Sequence, residues 1–117
     1  MSAAAGFPQG PYALAPEQLA LDAPGWAELR PGVRIRVLHE QERARLALLY
    51  YAPGASVPAH RHSGDEHIYV LSGSQLDERG SYPAGSYVFN PAGSSHAVGS
   101  PEGCLVLIHW LAPVEFI

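Results

Sequence analysis

The 117-residue sequence contains no lysine and a single cysteine. Its seven basic side chains are all arginine and face eleven acidic ones, giving a formal net charge of −4. A net-negative chain lacks the basic footprint that holds nucleic acid or an anionic membrane. The arginines that cluster, Arg30, Arg34 and Arg36 and then Arg43 and Arg45, alternate with apolar residues, which predicts the solvent face of strands. The lone Cys104 cannot close an internal disulfide, so stability does not rest on oxidation. It opens the apolar run Cys104–Ile108, has no basic neighbour to depress its pKa, and reads as a small core residue. No apolar run reaches the ~18 residues of a membrane span. Residues Met1 to Gly6 lack the basic flank and long apolar stretch of a signal peptide. The expected location is cytoplasmic, with no nucleic-acid or membrane partner.

Helical periodicity is also missing beyond one or two turns. Twelve glycines and eleven prolines interrupt the chain, which excludes a helical bundle and favours short strands joined by turns. Val33, Ile35 and Val37 alternate with Arg34 and Arg36, a period of two that predicts a strand. Further strands are expected over residues 43–51, 68–71, 86–89 and 104–111. This pattern is that of an all-β sandwich or barrel. The length fits one domain, taken as residues 26–117, preceded by a partly irregular arm over residues 1–25 that is ordered against a partner. Only 15% of residues are charged and 47% are hydrophobic. That balance predicts an apolar surface and a homodimer formed by strand addition at a barrel edge.

What the sequence does have is histidine. Four of its six histidines, His60, His62, His67 and His96, fall within one stretch. On an extended chain residues i and i+2 share a face, so His60 and His62 converge on one point. Gly64 lets the chain turn, Glu66 can then face back towards the pair, and the segment from Gly85 can bring in His96. His67 alternates away from Glu66 and is expected at the surface, and Arg61 likewise faces away from the pair. Three imidazoles and a carboxylate form a mixed nitrogen and oxygen donor set. It suits a divalent metal and leaves positions open for a small-molecule ligand. The donor set itself leaves Fe(II), Mn(II), Zn(II), Ni(II) and Cu(II) open and shows no thiolate preference.

These residues carry a resemblance. Gly54, His60, His62, Glu66 and Gly73 match the first cupin motif, G-x5-H-x-H-x3-E-x6-G, without a spacing error. Gly85, Pro91, Gly93 and His96 match the second, G-x5-P-x-G-x2-H-x3-N, which departs only where Ser100 replaces the final Asn. The stretch from Leu71 to Cys104 resembles the ChrR-type cupins, a group named for the cupin half of an anti-sigma factor. That group also includes dioxygenases that cleave a carbon–carbon bond next to a ketone, such as dihydroxyacetophenone dioxygenase. The resemblance implies a cupin (RmlC-like) double-stranded β-helix, or jelly-roll barrel, with His60, His62, Glu66 and His96 as metal ligands.

It also implies two functions. One is a metal-dependent dioxygenase acting on a small ketone or diketone, with Fe(II) as its cofactor. The other is a zinc-holding sensory module without turnover. The anti-sigma relatives grip their sigma factor with an additional N-terminal zinc domain. No His-x3-Cys-x2-Cys run is present here, so direct sigma-factor binding is not expected. A sugar isomerase or epimerase is disfavoured because no basic phosphate-binding set is evident. Tyr50, Tyr87, Phe89 and His109 are the expected wall of the substrate pocket, with ordinary core packing the competing reading for His109 and Trp110. Parity allows only one of Tyr50 and Tyr51, and one of His109 and Trp110, to face inward.

Overall fold

The computed structural model describes residues 7–117. Ten strands follow one short helix, α1 (Pro16–Leu19): β1 (Trp26–Arg30), β2 (Val33–Gln41), β3 (Ala44–Tyr51), β4 (Ala55–His62), β5 (Glu66–Asp77), β6 (Gly80–Pro83), β7 (Tyr87–Asn90), β8 (Ser95–Ser100), β9 (Cys104–Trp110) and β10 (Val114–Phe116). All pairings are antiparallel, and the strands run in the order β1-β2-β3-β9-β5-β8-β4-β10, with β6 and β7 also on β5. The first half of β5 pairs with β9 and β7, and its second half with β6 and β8. One long strand thereby joins two sheets that curl over a common core, the jelly-roll architecture the motifs imply.

Two bulges decide which side chains enter that core. In β5, Glu66, Ile68 and Val70 are buried, and beyond the bulge between Val70 and Ser72 the buried position becomes Gln75. The extra residue moves the inward face from even to odd positions. In β4, Val57 pairs with Val98 and His60 with His96, so the bulge at Pro58–Ala59 moves the inward face from Val57 to His60 and His62. Proline has no N–H to give a ladder, and a bulge is where a strand tolerates it. Gly73 supports the crossing of β5: a Cβ there would lie 2.0 Å from the Gly103 carbonyl oxygen, and its φ is +71°.

The core packs Val33, Ile35, Ala47, Leu49, Tyr51, Ile68, Val70, Val98, Cys104, Val106 and Ile108 between the sheets. Cys104 is buried there, as expected of a core residue. The strands expected from composition are all present. Those missed are β1, β6, β8 and β10, which are short or rich in Ser, Gly and charged residues, and β4 as a whole. Part of the arm folds on its own chain: the Tyr12 hydroxyl donates to the Leu38 carbonyl at 2.7 Å and also contacts His39 Nδ1 at 2.8 Å. The expectation for residues 1–6 lies outside the described residues.

Arg43 and Arg45 are exposed, as expected of a solvent face, and border the cavity, whereas Arg30, Arg34 and Arg36 are half-buried. Arg34 stacks over Trp26 at 5.4 Å and donates to the Leu21 carbonyl, and Arg30 lines the cavity. No helix of the described residues is long and apolar enough to cross a membrane.

Candidate metal centre

His60, His62, Glu66 and His96 meet in the barrel interior, all buried, with their ligand atoms within 4.8 Å of one another. Register brings them there. His60 lies directly opposite His96 on β4 and β8. His62, two residues on, shares their face. The turn to Glu66 runs tight against the end of β9: a Cβ on Gly64 would lie 2.9 Å from both the backbone nitrogen and the Cβ of Ala112, so only glycine fits. Asp65 fastens that turn, its carboxylate accepting from the Ala92 N–H at 2.9 Å.

Each imidazole is oriented through its Nδ1. His60 Nδ1–H donates to the Pro58 carbonyl at 2.9 Å, a contact the bulge creates. His62 Nδ1–H donates to Ser94, whose carbonyl and hydroxyl oxygens both lie at 3.0 Å. The Ser94 hydroxyl in turn donates to the Pro91 carbonyl. His96 Nδ1–H donates to Asp77 Oδ2 at 2.9 Å. Carbonyls and carboxylates cannot donate, so the hydrogen sits on Nδ1, and in each neutral ring Nε2 presents a lone pair. The rings stand edge to face, with centroids 4.7–5.1 Å apart.

Glu66 is held from both sides. Its cross-strand neighbours are Asn90 on β7 and Trp110 on β9. Asn90 Nδ2 donates to Oε1 at 2.9 Å and Trp110 Nε1 to Oε2 at 2.8 Å. Burial pushes the Glu66 carboxyl upward, but the adjacent His62, the charge of His96 and the Trp110 N–H outweigh it, and its pKa lies below the ordinary 4.5. For His62 burial favours the neutral ring, and the Glu66 carboxylate and the Ser94 carbonyl outweigh that, raising its pKa above 6.5. His60 goes the other way, its pKa lowered chiefly by burial.

The donor set fits one ion. His62 Nε2 is fully buried, has no hydrogen-bond partner, and lies 3.1 Å from Glu66 Oε1. A buried lone pair aimed at a carboxylate oxygen is costly unless something between them accepts both. A divalent cation with bonds of about 2 Å does so.

The site opens on a cavity of about 510 Å³. Its apolar wall includes Ile35, Leu49, Val57, Ile68, Val98 and Ile108, and Tyr51, Gln75 and Trp110 add polar atoms. The aromatic wall therefore differs from the expected one. Tyr50, Tyr87, Phe89 and His109 do not line the cavity; Tyr51 and Trp110, their opposite-parity neighbours, do. Tyr87 and Phe89 are 60% and 46% exposed, on the outer face of β7. There they surround His67, whose Nδ1 lies 2.7 Å from the Tyr87 hydroxyl and whose ring stacks on His109. His67 thus points away from the centre, as alternation requires.

Sequence reasoning missed Asp77, Asn90, Ser94 and Trp110 as supports of the ligands. For Asn90 and Trp110 the available signal was a polar side chain at the end of a strand that pairs with Glu66. For Ser94 it was the position just ahead of His96. Asp77 gave no such signal, because the β5 bulge breaks its parity with Glu66. Ser100, where the second motif departs, is buried and donates to the Ser74 carbonyl at 2.6 Å, tying β8 to β5.

Comparison with solved structures agrees with this architecture. A chain of the crystal structure of Rhodobacter sphaeroides SigE in complex with the anti-sigma ChrR is 29% identical, with a TM-score of 0.70 over 78% of this chain and 50% of that one. A cupin-like protein of unknown function from Ralstonia eutropha is 26% identical, with a TM-score of 0.61 over 68% of this chain and 54% of that one. This chain thus spans about half the length of these two. An acetylacetone dioxygenase from Acinetobacter johnsonii shares the fold at 20% identity, with a TM-score of 0.76 over 92% of this chain and 82% of that one. No curated protein matches the sequence. Residues 7–115 match the family model described as the ChrR Cupin-like domain, and the chain belongs to that family.

Proposed function

We propose that this chain is a non-haem dioxygenase that holds one Fe(II) at His60, His62, Glu66 and His96 and cleaves a carbon–carbon bond beside the carbonyl of a small ketone or diketone. The observation that carries the reading is the buried, unpartnered His62 Nε2 in a pre-oriented three-histidine, one-carboxylate set that faces an apolar cavity. The fold shared with an acetylacetone dioxygenase supports it.

The chain's own residues have three tasks. The Nδ1 contacts of His60, His62 and His96 hold three lone pairs towards one point, so little ordering remains to be done on binding. Asn90 and Trp110 keep the Glu66 carboxylate ionised and fixed in direction. Ile35, Leu49, Ile68 and Ile108 exclude water, which strengthens every electrostatic contact made inside. When bound, a redox-active metal supplies a Lewis acid for the carbonyl and an electron source for oxygen chemistry. Oxygen uptake by iron-loaded protein across a panel of diketones and hydroxyketones is the test, and no uptake with any of them overturns the reading.

A second reading is a zinc-holding ligand-binding module without turnover, favoured by the 29% identity to a chain of the SigE–ChrR structure. Metal analysis of protein purified without added metal separates the two. Iron with oxygen consumption supports the enzyme, and redox-inert zinc supports the module.

A further inference from the structure

The cavity holds a polar pair that the metal centre does not use. Strand register fixes its level. Glu66 lies opposite Trp110, and Trp110 opposite Arg45, near the β2–β3 hairpin. Tyr51 lies opposite Cys104, at the other end of β3. Six residues of β9 separate the two levels, ~20 Å of strand, of which the long tyrosine side chain can span part. Gln75 reaches the same place from β5, on the inward face created by the bulge after Val70, and its amide sits beside the Tyr51 hydroxyl. Both side chains line the cavity, with Tyr51 3% and Gln75 2% exposed.

A primary amide carries two donors and a two-lone-pair acceptor, and a phenol carries a donor and an acceptor. Contact between the two uses at most one donor and one acceptor. The remaining capacity faces a cavity whose apolar walls, Leu49, Ile68 and Val98, offer no hydrogen bond; the charged lining residue on this side is Arg30, opposite Val33, which pairs with Tyr51, and its guanidinium lies over the Phe116 ring at 5.6 Å. Leaving such groups unmatched is costly, and a site of this kind discriminates sharply for a ligand that matches them. Burial, together with Cys104 and the Glu66 charge, pushes the Tyr51 hydroxyl well above its usual range, so it stays protonated as a donor.

We propose that Tyr51 and Gln75 form a second anchor in the cavity, selecting ketones whose apolar body ends in a hydroxyl or carbonyl oxygen remote from the metal-binding end. The inference rests on the ketone reading above, and it adds a requirement that reading does not contain. A compact diketone with no third oxygen fills only the metal end and leaves this pair unmatched.

The test uses zinc-loaded protein, which binds without oxidising the ligand. Two probes that differ by one distal hydroxyl, 1-phenylbutane-1,3-dione and its 4-hydroxyphenyl analogue, are titrated calorimetrically, with zinc retention checked after each run. The native chain is expected to bind the hydroxylated probe at least about tenfold more tightly. Tyr51→Phe and Gln75→Met, both close to the native side chains in size, should reduce that preference to within about twofold while keeping affinity for the plain probe. Equal binding of the two probes by the native chain overturns the anchor and leaves the ketone reading standing. So does an unchanged preference in both variants. Failure of native protein that retains its zinc to bind either probe overturns the ketone reading, and the anchor with it.

Discussion

Asp77 and His96 are joined carboxylate to imidazole, Oδ2 to Nδ1, at 2.9 Å, with both side chains buried. The other oxygen of Asp77 accepts the Tyr82 hydroxyl at 2.7 Å and the Arg79 N–H at 2.8 Å. Burial pushes the Asp77 carboxyl upward, but the bonds from His96, Tyr82 and Arg79 outweigh it and hold it below its ordinary 3.8. The carboxylate therefore fixes the ring, with Nε2 left free to face the other ligands. Asp77→Asn keeps the shape and removes the charge. It is expected to weaken metal binding about 10- to 100-fold with the fold intact. Competition against a chelator of known affinity measures this, and unchanged affinity would show that Asp77 serves the fold alone.

Removing a ligand is a harsher change. His60→Ala and His96→Ala each take one of four donors from a buried site and should lose most of the bound metal after dialysis. Arg61→Ala, between His60 and His62 but exposed, should keep wild-type stoichiometry. Atomic absorption on the three variants reads the result. Full occupancy in both histidine variants would sink the ligand assignment.

The metal-free chain should lose stability in acid. Glu66 and Asp77 are both held below their ordinary 4.5 and 3.8. A carboxylate with a depressed folded pKa contributes stability that is present above its unfolded value and lost as pH falls through the folded one. The two imidazoles with shifted pKa values oppose each other around 6.5. His60, lowered, favours the fold as pH rises, and His62, raised, favours it as pH falls. The denaturation midpoint in chelator should therefore be nearly flat from pH 8 to 6 and drop below about 4.5. A midpoint that holds constant down to pH 3 contradicts the carboxylate contacts described here.

Trp110→Phe preserves an aromatic wall and deletes one donor to Glu66. A hydrogen bond to a charged, buried group is worth about 1.5–3 kcal/mol. The variant should lower metal affinity and also shift the acid transition of the metal-free chain to higher pH, since Glu66 becomes easier to protonate. Affinity and transition both unchanged would mean that Asn90 alone fixes the carboxylate.

The ligands were legible because their spacing is local: i and i+2 on β4, then Glu66 after a glycine turn. The supports were not. Asp77, Asn90 and Trp110 reach their ligands across sequence separations of 19, 24 and 44 residues. Register sets those contacts, and no periodicity in one strand reveals it. The bulges made matters worse, since each moves the inward face between even and odd positions along its strand. Alternation correctly separated Tyr50 from Tyr51 and His109 from Trp110. It could not tell which of each pair faced inward, because both faces of β3 and β9 are apolar.

That two-faced apolar character gives the last prediction. Tyr87 and Phe89 stand outside the barrel with His67 and His109, beyond the sheet from the cavity. Tyr87→Ser and Phe89→Ser should therefore leave metal stoichiometry and probe affinity within about twofold of native, and cost stability only on the scale of a surface substitution, about 0.5 kcal/mol. Leu49→Ala, on the inner face, should enlarge the cavity, weaken probe binding and destabilise the fold by about 2–5 kcal/mol. Thermal melts and titrations of the three variants side by side decide the matter. If the two outer-face variants lose probe affinity while Leu49→Ala does not, the ligand sits on the outside of the barrel and the interior cavity is not its site.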